Sequence, residues 1–194
     1  MSERYEAAVA AIDAANADDP TLIVVRGVEQ PLAQVHGVLA AEWVADLQPD
    51  ADETWLLAAR AHHLKRWELP RSSYETGRAG YLKWKRDQRR RHADDAGALL
   101  TAVGYDEAAI ERVQCLVRRD HLATDPGSQA IEDAACLAFV ETQLAEVATT
   151  LDRAHLIDVL RKTATKMSPA GAAAISRIPL SDAERALLDE ALGG

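Results

Sequence analysis

Apolar residues recur three and four positions apart through most of this 194-residue chain, the spacing that lines one face of an α-helix. Tyr5, Ala8, Val9 and Ile12 carry the pattern in a first segment, which Ser2 can cap and the polar run 16–20 ends. Leu32, Val35, Leu39, Trp43 and Val44 predict a second helix from Pro31 to about Leu47, with His36 beside its apolar stripe. Asp52 caps a third, expected from Glu53 to about Trp67 with Leu56, Leu57, Ala59 and Leu64 inward. A long helix follows from about Gly77 to Val103, stopped by Gly104. Asp106 opens another, running to about Arg119, and Ser128 opens a long apolar one with Asp133 in its first half. Asp152 and Ser168 start two more, and Ser181-x-x-Glu184 forms a capping box before the last. One stretch breaks the pattern. Residues 21–25, TLIVV, are β-branched and precede Arg26-Gly27, so they predict a small strand or hairpin. The reading is a single all-α domain over residues 1–194 with a short N-terminal β hairpin.

Composition adds exclusions. A net charge of −9 argues against a general polyanion-binding surface, so nucleic acid is not the expected partner. The local exception is the basic run 83–91, whose Lys83, Lys85, Arg86, Arg89, Arg90 and Arg91 cover much of one helix's circumference. A solvated face with helix-surface ion pairs is the leading reading of that run, with a phosphate grip as the sharper one. The first residues lack the basic and apolar regions of a secretory signal, and no apolar run is long enough to span a bilayer, so no membrane partner is expected. Cys115 and Cys136 are isolated thiols without C-x-x-C spacing; they fit a reducing cytoplasm and read as core residues.

Candidate chemistry concentrates in residues 59–71, ARAHHLKRWELPR, where His62 and His63 adjoin Lys65, Arg66 and Trp67. Adjacent residues on a helix diverge by about 100°, so one of the pair is expected to face elsewhere unless the helix end intervenes. Histidine is a common metal ligand, and a carboxylate inside an apolar helix is costly to bury unless it is paired or bound. His36, His62 or His63, and Asp133 stand on separate predicted helices and could converge on a divalent metal ion, leaving positions open for water and substrate. The bland alternatives are a half-buried His36 and an Asp133 that caps a loop or pairs with Arg66. Glu132 is expected to stay solvated while Asp133 turns inward. His92 is a candidate catalytic residue, and His121 and His155 are assigned to a surface loop and to structure. Trp67, Tyr81 and Trp84 could stack a base, but core packing is favoured for most of them.

The order His36, then LAARAHHLKR, then IEDAACL resembles the HD superfamily of metal-dependent phosphohydrolases, whose motif is a His, a His-Asp pair and a later Asp. The resemblance implies an HD-like helical fold, with His36, His62 and Asp133 as metal ligands. Its implied activity is hydrolysis of a small phosphorylated or nucleotide-like molecule. Asp133, His92 and Arg66 would be catalytic, and Arg66, Arg71, Lys83 and Lys166 would hold the substrate. The sequence departs from the motif at His63, which stands where an Asp can bridge two metals. That departure counts against a binuclear site, and with it against a di-iron oxygenase, and it admits a catalytically degenerate protein that binds a small ligand or protein partner. More closely, ARAHHLKRWELPRSSY, GRAGYLKWKRD, RRHADDAG, VGYDEAAIERVQ, IEDAACLAFVE and RKTATKMSP resemble an uncharacterised bacterial and fungal domain-of-unknown-function family. In that family the second His of the pair is the more characteristic, which shifts the expectation toward His63.

Overall fold

The computed structural model describes residues 2–193. It is an all-α fold with a small hairpin. Helix α1 (Glu3–Asn16) begins at Ser2, whose hydroxyl accepts from the Tyr5 N–H. Strands β1 (Leu22–Val25) and β2 (Val28–Pro31) pair antiparallel, with Val25 opposite Val28. The tight turn between them takes positive φ at Arg26 and Gly27. Then come α2 (Leu32–Leu47), α3 (Glu53–Ala61), α4 (Gly77–Ala102) and α5 (Glu107–Arg118). The chain finishes with α6 (Pro126–Thr150), α7 (Arg153–Ala164), the short α8 (Pro169–Ala174) and α9 (Asp182–Leu192). Asp52, Asp106, Asp152, Ser168 and Ser181 all cap the helices expected of them.

Two large apolar clusters make most of the core, beside a small one of Val35, Leu39 and Ala138. One gathers Ile12, Val44, Leu57, Leu64, Leu100, Val113 and Leu116 from α1 to α5 against Ile131 of α6. The other packs Leu137 and Leu144 of α6 against Leu156, Leu160, Ile175 and Leu187. Helix α6 is therefore common to both, and it sets the back wall of the site described below. Trp43 packs against both clusters.

Two contacts bring α2 and α1 onto α3. Gly37 permits a close approach: a Cβ there would lie 2.5 Å from the Arg60 carbonyl oxygen. Arg60 in turn forms a two-pronged ion pair with Asp13, at 2.6 and 2.5 Å. Together they fix the end of α3 beside His36.

The third helix departs from expectation. It ends at Ala61 rather than near Trp67, with His62 as its C-terminal cap. Lys65 adopts left-handed backbone at φ 50°, and short 3-10 turns follow at Arg66–Glu68 and Arg71–Ser73. Neither Gly nor Pro marks this end. It is held from outside, by Asn16 Oδ1 accepting from the Lys65 N–H at 3.0 Å.

Candidate functional site

The early end of α3 is what lets both histidines serve one site. At the C-terminal cap of α3 and just beyond it, the His62 and His63 rings lie 4.1 Å apart between centroids, and His36 stacks 6.3 Å from His62 with nearly parallel planes. The expectation that one of the pair faces elsewhere is thus corrected. One ring nitrogen from each of His36, His62 and His63 lies within 4.8 Å of the other two. His92, on α4, stands behind them, its ring 6.1 Å from that of His63.

Hydrogen bonds determine where the lone pairs are. The Thr142 hydroxyl donates its one proton to the Ala138 carbonyl at 2.6 Å, so it must accept from Nε2–H of His36 at 2.9 Å. His36 is neutral, because burial and the nearby Arg66 charge lower its pKa to about 4. Its Nδ1 is then bare and accepts from Nδ1–H of His63, 2.9 Å away. Nδ1–H of His62 donates to the Ala59 carbonyl at 2.8 Å, and that of His92 to the Leu64 carbonyl at 2.6 Å. Burial holds all four rings neutral. His92 is lowered to about 3, by burial first and Arg66 second, and His62 and His63 lie well below the ordinary value. Each ring therefore keeps one unprotonated nitrogen: Nδ1 of His36, which His63 occupies, and Nε2 of the other three, of which those of His62 and His92 are buried without a partner. Backbone carbonyls that fix the protonated edge of an imidazole are the usual outer support of a metal-ligating histidine.

A cavity of about 370 Å³ opens against these rings. Its walls carry five cations, Arg66, Lys85, Arg89, Arg119 and Lys166, against the single carboxylate of Glu132. Glu132 is already committed. Arg89 donates to it at 2.8 Å, and Arg119 Nε lies 3.3 Å from the same oxygen, too far off line for a hydrogen bond. Burial pushes the Glu132 carboxyl up, but the charges of Arg119 and Arg89 outweigh this and hold it below its ordinary value. Arg119 is lowered to about 10 by burial. Among the described residues no carboxylate lies within ion-pair distance of Arg66, Lys85 or Lys166. Arg66 rests on Trp84, 4.7 Å from the ring centroid, and Lys85 is lowered to about 8 by burial and by the charges of Lys166 and Arg89.

Other expected residues lie elsewhere. Asp133 is buried, but its carboxylate accepts from the Ser168 N–H at 2.8 Å, the Ser168 hydroxyl at 2.5 Å and Gln129 at 2.9 Å. It anchors the start of α8 and does not join the three-histidine group. Its neighbour Glu132, expected in solvent, is the carboxylate that faces the cavity. Arg71 donates to the carbonyls of Tyr74, Glu75 and Gly77 and braces the loop before α4. Lys83 is exposed on α4 and does not line the cavity, whereas Lys166 does. The rest of the basic run forms surface pairs, as expected: Arg86 with Asp87, Arg90 with Asp94, and Arg91 with Glu68 and Asp95. His121 is exposed, as expected of a surface loop, and His155 is exposed too, against the expectation of a structural role. Cys136 is buried in the cavity wall, where burial raises its thiol to about 12. Cys115 is only partly buried.

Sequence reasoning missed Arg119, Gln88 and the role of Lys85. A signal existed for two of these. Trp84, Gln88 and His92 recur at four-residue spacing, one face of a helix, with Lys85 beside them.

A helical protein with a small hairpin and a buried imidazole cluster beneath a cationic cavity is the class that the fold and site define. The chain belongs to the family described as Domain of unknown function (DUF4202), whose model matches residues 6–188. No curated protein and no solved structure matches it. No helix among the described residues is long and apolar enough to cross a membrane.

Proposed function

We propose that the chain is a metal-dependent phosphohydrolase of the HD-like type, acting on a small phosphorylated substrate. The observation that carries this reading is the coincidence of two features. Nitrogens of His36, His62 and His63 gather within 4.8 Å, directly against a cavity whose Arg66, Lys85 and Lys166 lack carboxylate partners among the described residues. The unpartnered, buried Nε2 of His62 fits a metal ligand, and an all-imidazole donor set suits a borderline ion such as Zn, Fe, Co or Ni. A divalent ion held there would lower the pKa of bound water and polarise a phosphoryl oxygen.

The chain's own groups supply the rest. Arg66, fixed over Trp84, and Lys85 and Lys166 neutralise the phosphoryl oxygens as charge shifts during transfer. His92 presents a neutral, unpartnered Nε2 whose lone pair would orient the attacking water as a hydrogen-bond acceptor, its basicity being too low at about 3 for it to hold the proton. Its Nδ1–H bond to Leu64 holds the tautomer that this requires.

A second reading, a degenerate HD-like protein that binds its ligand without turning it over, is favoured by one observation. Glu132 and Asp133 are both committed to other partners, so among the described residues no carboxylate joins the histidines. A screen of phosphomonoesters with added Zn, Mn, Co and Ni separates the two readings. The hydrolase reading expects turnover that falls at least 100-fold in His62→Ala and His63→Ala; tight binding with no turnover under any ion supports the degenerate one.

A further inference from the structure

A second cavity is lined by His36 and His63. It measures about 350 Å³ and shares His63, Arg66, Trp84, Gln88 and Gln143 with the first. Its character is different. Leu32, Trp67, Leu69 and Pro70 give it apolar walls, and its carboxylate, Asp19, is tied to the backbone N–H groups of Thr21 and Ala33 at 2.9 Å. Asp19 and the shared Arg66 leave it close to neutral, whereas the first cavity carries five cations to one carboxylate. An anion therefore prefers the first cavity, and an uncharged, partly apolar group prefers the second.

The shared wall also holds an unmet acceptor. The Gln88 amide nitrogen donates to the Arg66 and Leu69 carbonyls at 2.9 and 3.0 Å. Two carbonyl partners require the NH2 end, so the opposite atom is the oxygen, and Gln88 Oε1 is buried with no donor. A buried acceptor without a donor is unfavourable, and a hydroxyl or amino group brought by a ligand would satisfy it.

Resting on the phosphohydrolase reading, we infer that the substrate is divided between the two cavities. Its phosphoryl group sits in the cationic cavity. Its uncharged organic group, with a flat or apolar body and at least one hydroxyl or amino donor, reaches past His63 and Arg66 into the neutral one. The scissile P–O bond then lies at the histidines. Water forms the new P–O bond, the ester P–O bond breaks, and the departing oxygen takes up a proton. Orthophosphate is left in the first cavity and a neutral alcohol in the second. This arrangement selects monoesters of polar organic alcohols over inorganic polyphosphates and over substrates charged at both ends.

The test uses two simple probes, inorganic orthophosphate and the uncharged nucleoside adenosine, titrated calorimetrically alone and together on the whole protein. Both should bind at once, neither changing the other's Kd more than twofold. Lys166→Met, an exposed position on the first cavity, should weaken orthophosphate about tenfold and adenosine less than twofold. Thr21→Trp, at the exposed rim of the second, should do the reverse, and Gln88→Met should weaken adenosine alone. Mutual exclusion of the probes, variants that affect both alike, or failure of adenosine to bind would overturn the inference. Phosphatase turnover without this pattern would sink the division and leave the hydrolase reading standing; the pattern without turnover would do the opposite.

Discussion

Asp133 and Ser168 form a closed pair. One carboxylate takes both the backbone N–H and the hydroxyl of Ser168, at 2.8 and 2.5 Å, while the same hydroxyl accepts the Gly171 N–H and caps α8. Gly171 lies so close that a Cβ there would sit 2.5 Å from Asp133 Cγ. Asp133→Ala should therefore destabilise the protein by about 2–3 kcal/mol, the loss of hydrogen bonds to a buried charged group, and leave metal binding intact. Urea unfolding alongside metal titration checks both halves. A stable variant that has lost its metal would return Asp133 to the ligand set.

The Arg89–Glu132–Arg119 group predicts a larger cost. Arg119 is buried, and Glu132 neutralises it from α6. Glu132→Gln strands that charge and should cost about 3–5 kcal/mol, as removing one partner of a buried ion pair does. The double variant Glu132→Gln/Arg119→Met should recover part of the loss. Additive losses in the double variant would show that the two residues are not coupled.

Neutral, buried histidines make stability depend on pH. His36 and His92 titrate at about 4 and about 3 in the folded protein, against about 6.5 in an unfolded chain. Between these values the unfolded state binds more protons, so stability is complete above about pH 6.5 and falls as pH drops toward the folded values. Each histidine contributes about 1.4 kcal/mol per pH unit in that window, so the metal-free protein should lose about 2.7 kcal/mol per unit from these two. Chemical denaturation at several pH values measures the slope. A flat profile from neutrality to about pH 5 would contradict the burial of neutral rings.

Lys85 gives the cavity its own pH response, of opposite sense. Burial and its cationic neighbours bring it to about 8, so it loses charge as pH rises through that value. A phosphate monoester, with a second pKa of about 6, stays a dianion over this range. Its affinity should fall about tenfold from neutrality to about pH 9.5, the order expected for one charge-assisted hydrogen bond. Lys85→Arg should remove most of that fall, and an identical profile in the variant would exclude Lys85 as the group responsible.

The helix order was legible because caps and apolar spacing are local signals, and Ser2, Asp52, Asp106, Asp152 and Ser181 each sit where both agree. The end of α3 was not. Leu64 and Trp67 continue the helical pattern, and the break comes from a contact with Asn16, 49 positions away in sequence. That hidden break changed the reading of the site, since it turns both histidines inward. Glu132 and Asp133 posed a similar problem. Both are buried on α6, and which one faces the cavity depends on Arg119 and Ser168, partners that only tertiary packing supplies.

Metal binding by the three histidines is the claim on which the functional reading stands. Elemental analysis of untagged protein, followed by zinc titration of the chelated protein, tests it most directly. The expected result is one ion per chain, with affinity falling at least 100-fold in His36→Ala, His62→Ala and His63→Ala and unchanged in Asp133→Asn. Wild-type zinc affinity in the three histidine variants would contradict it.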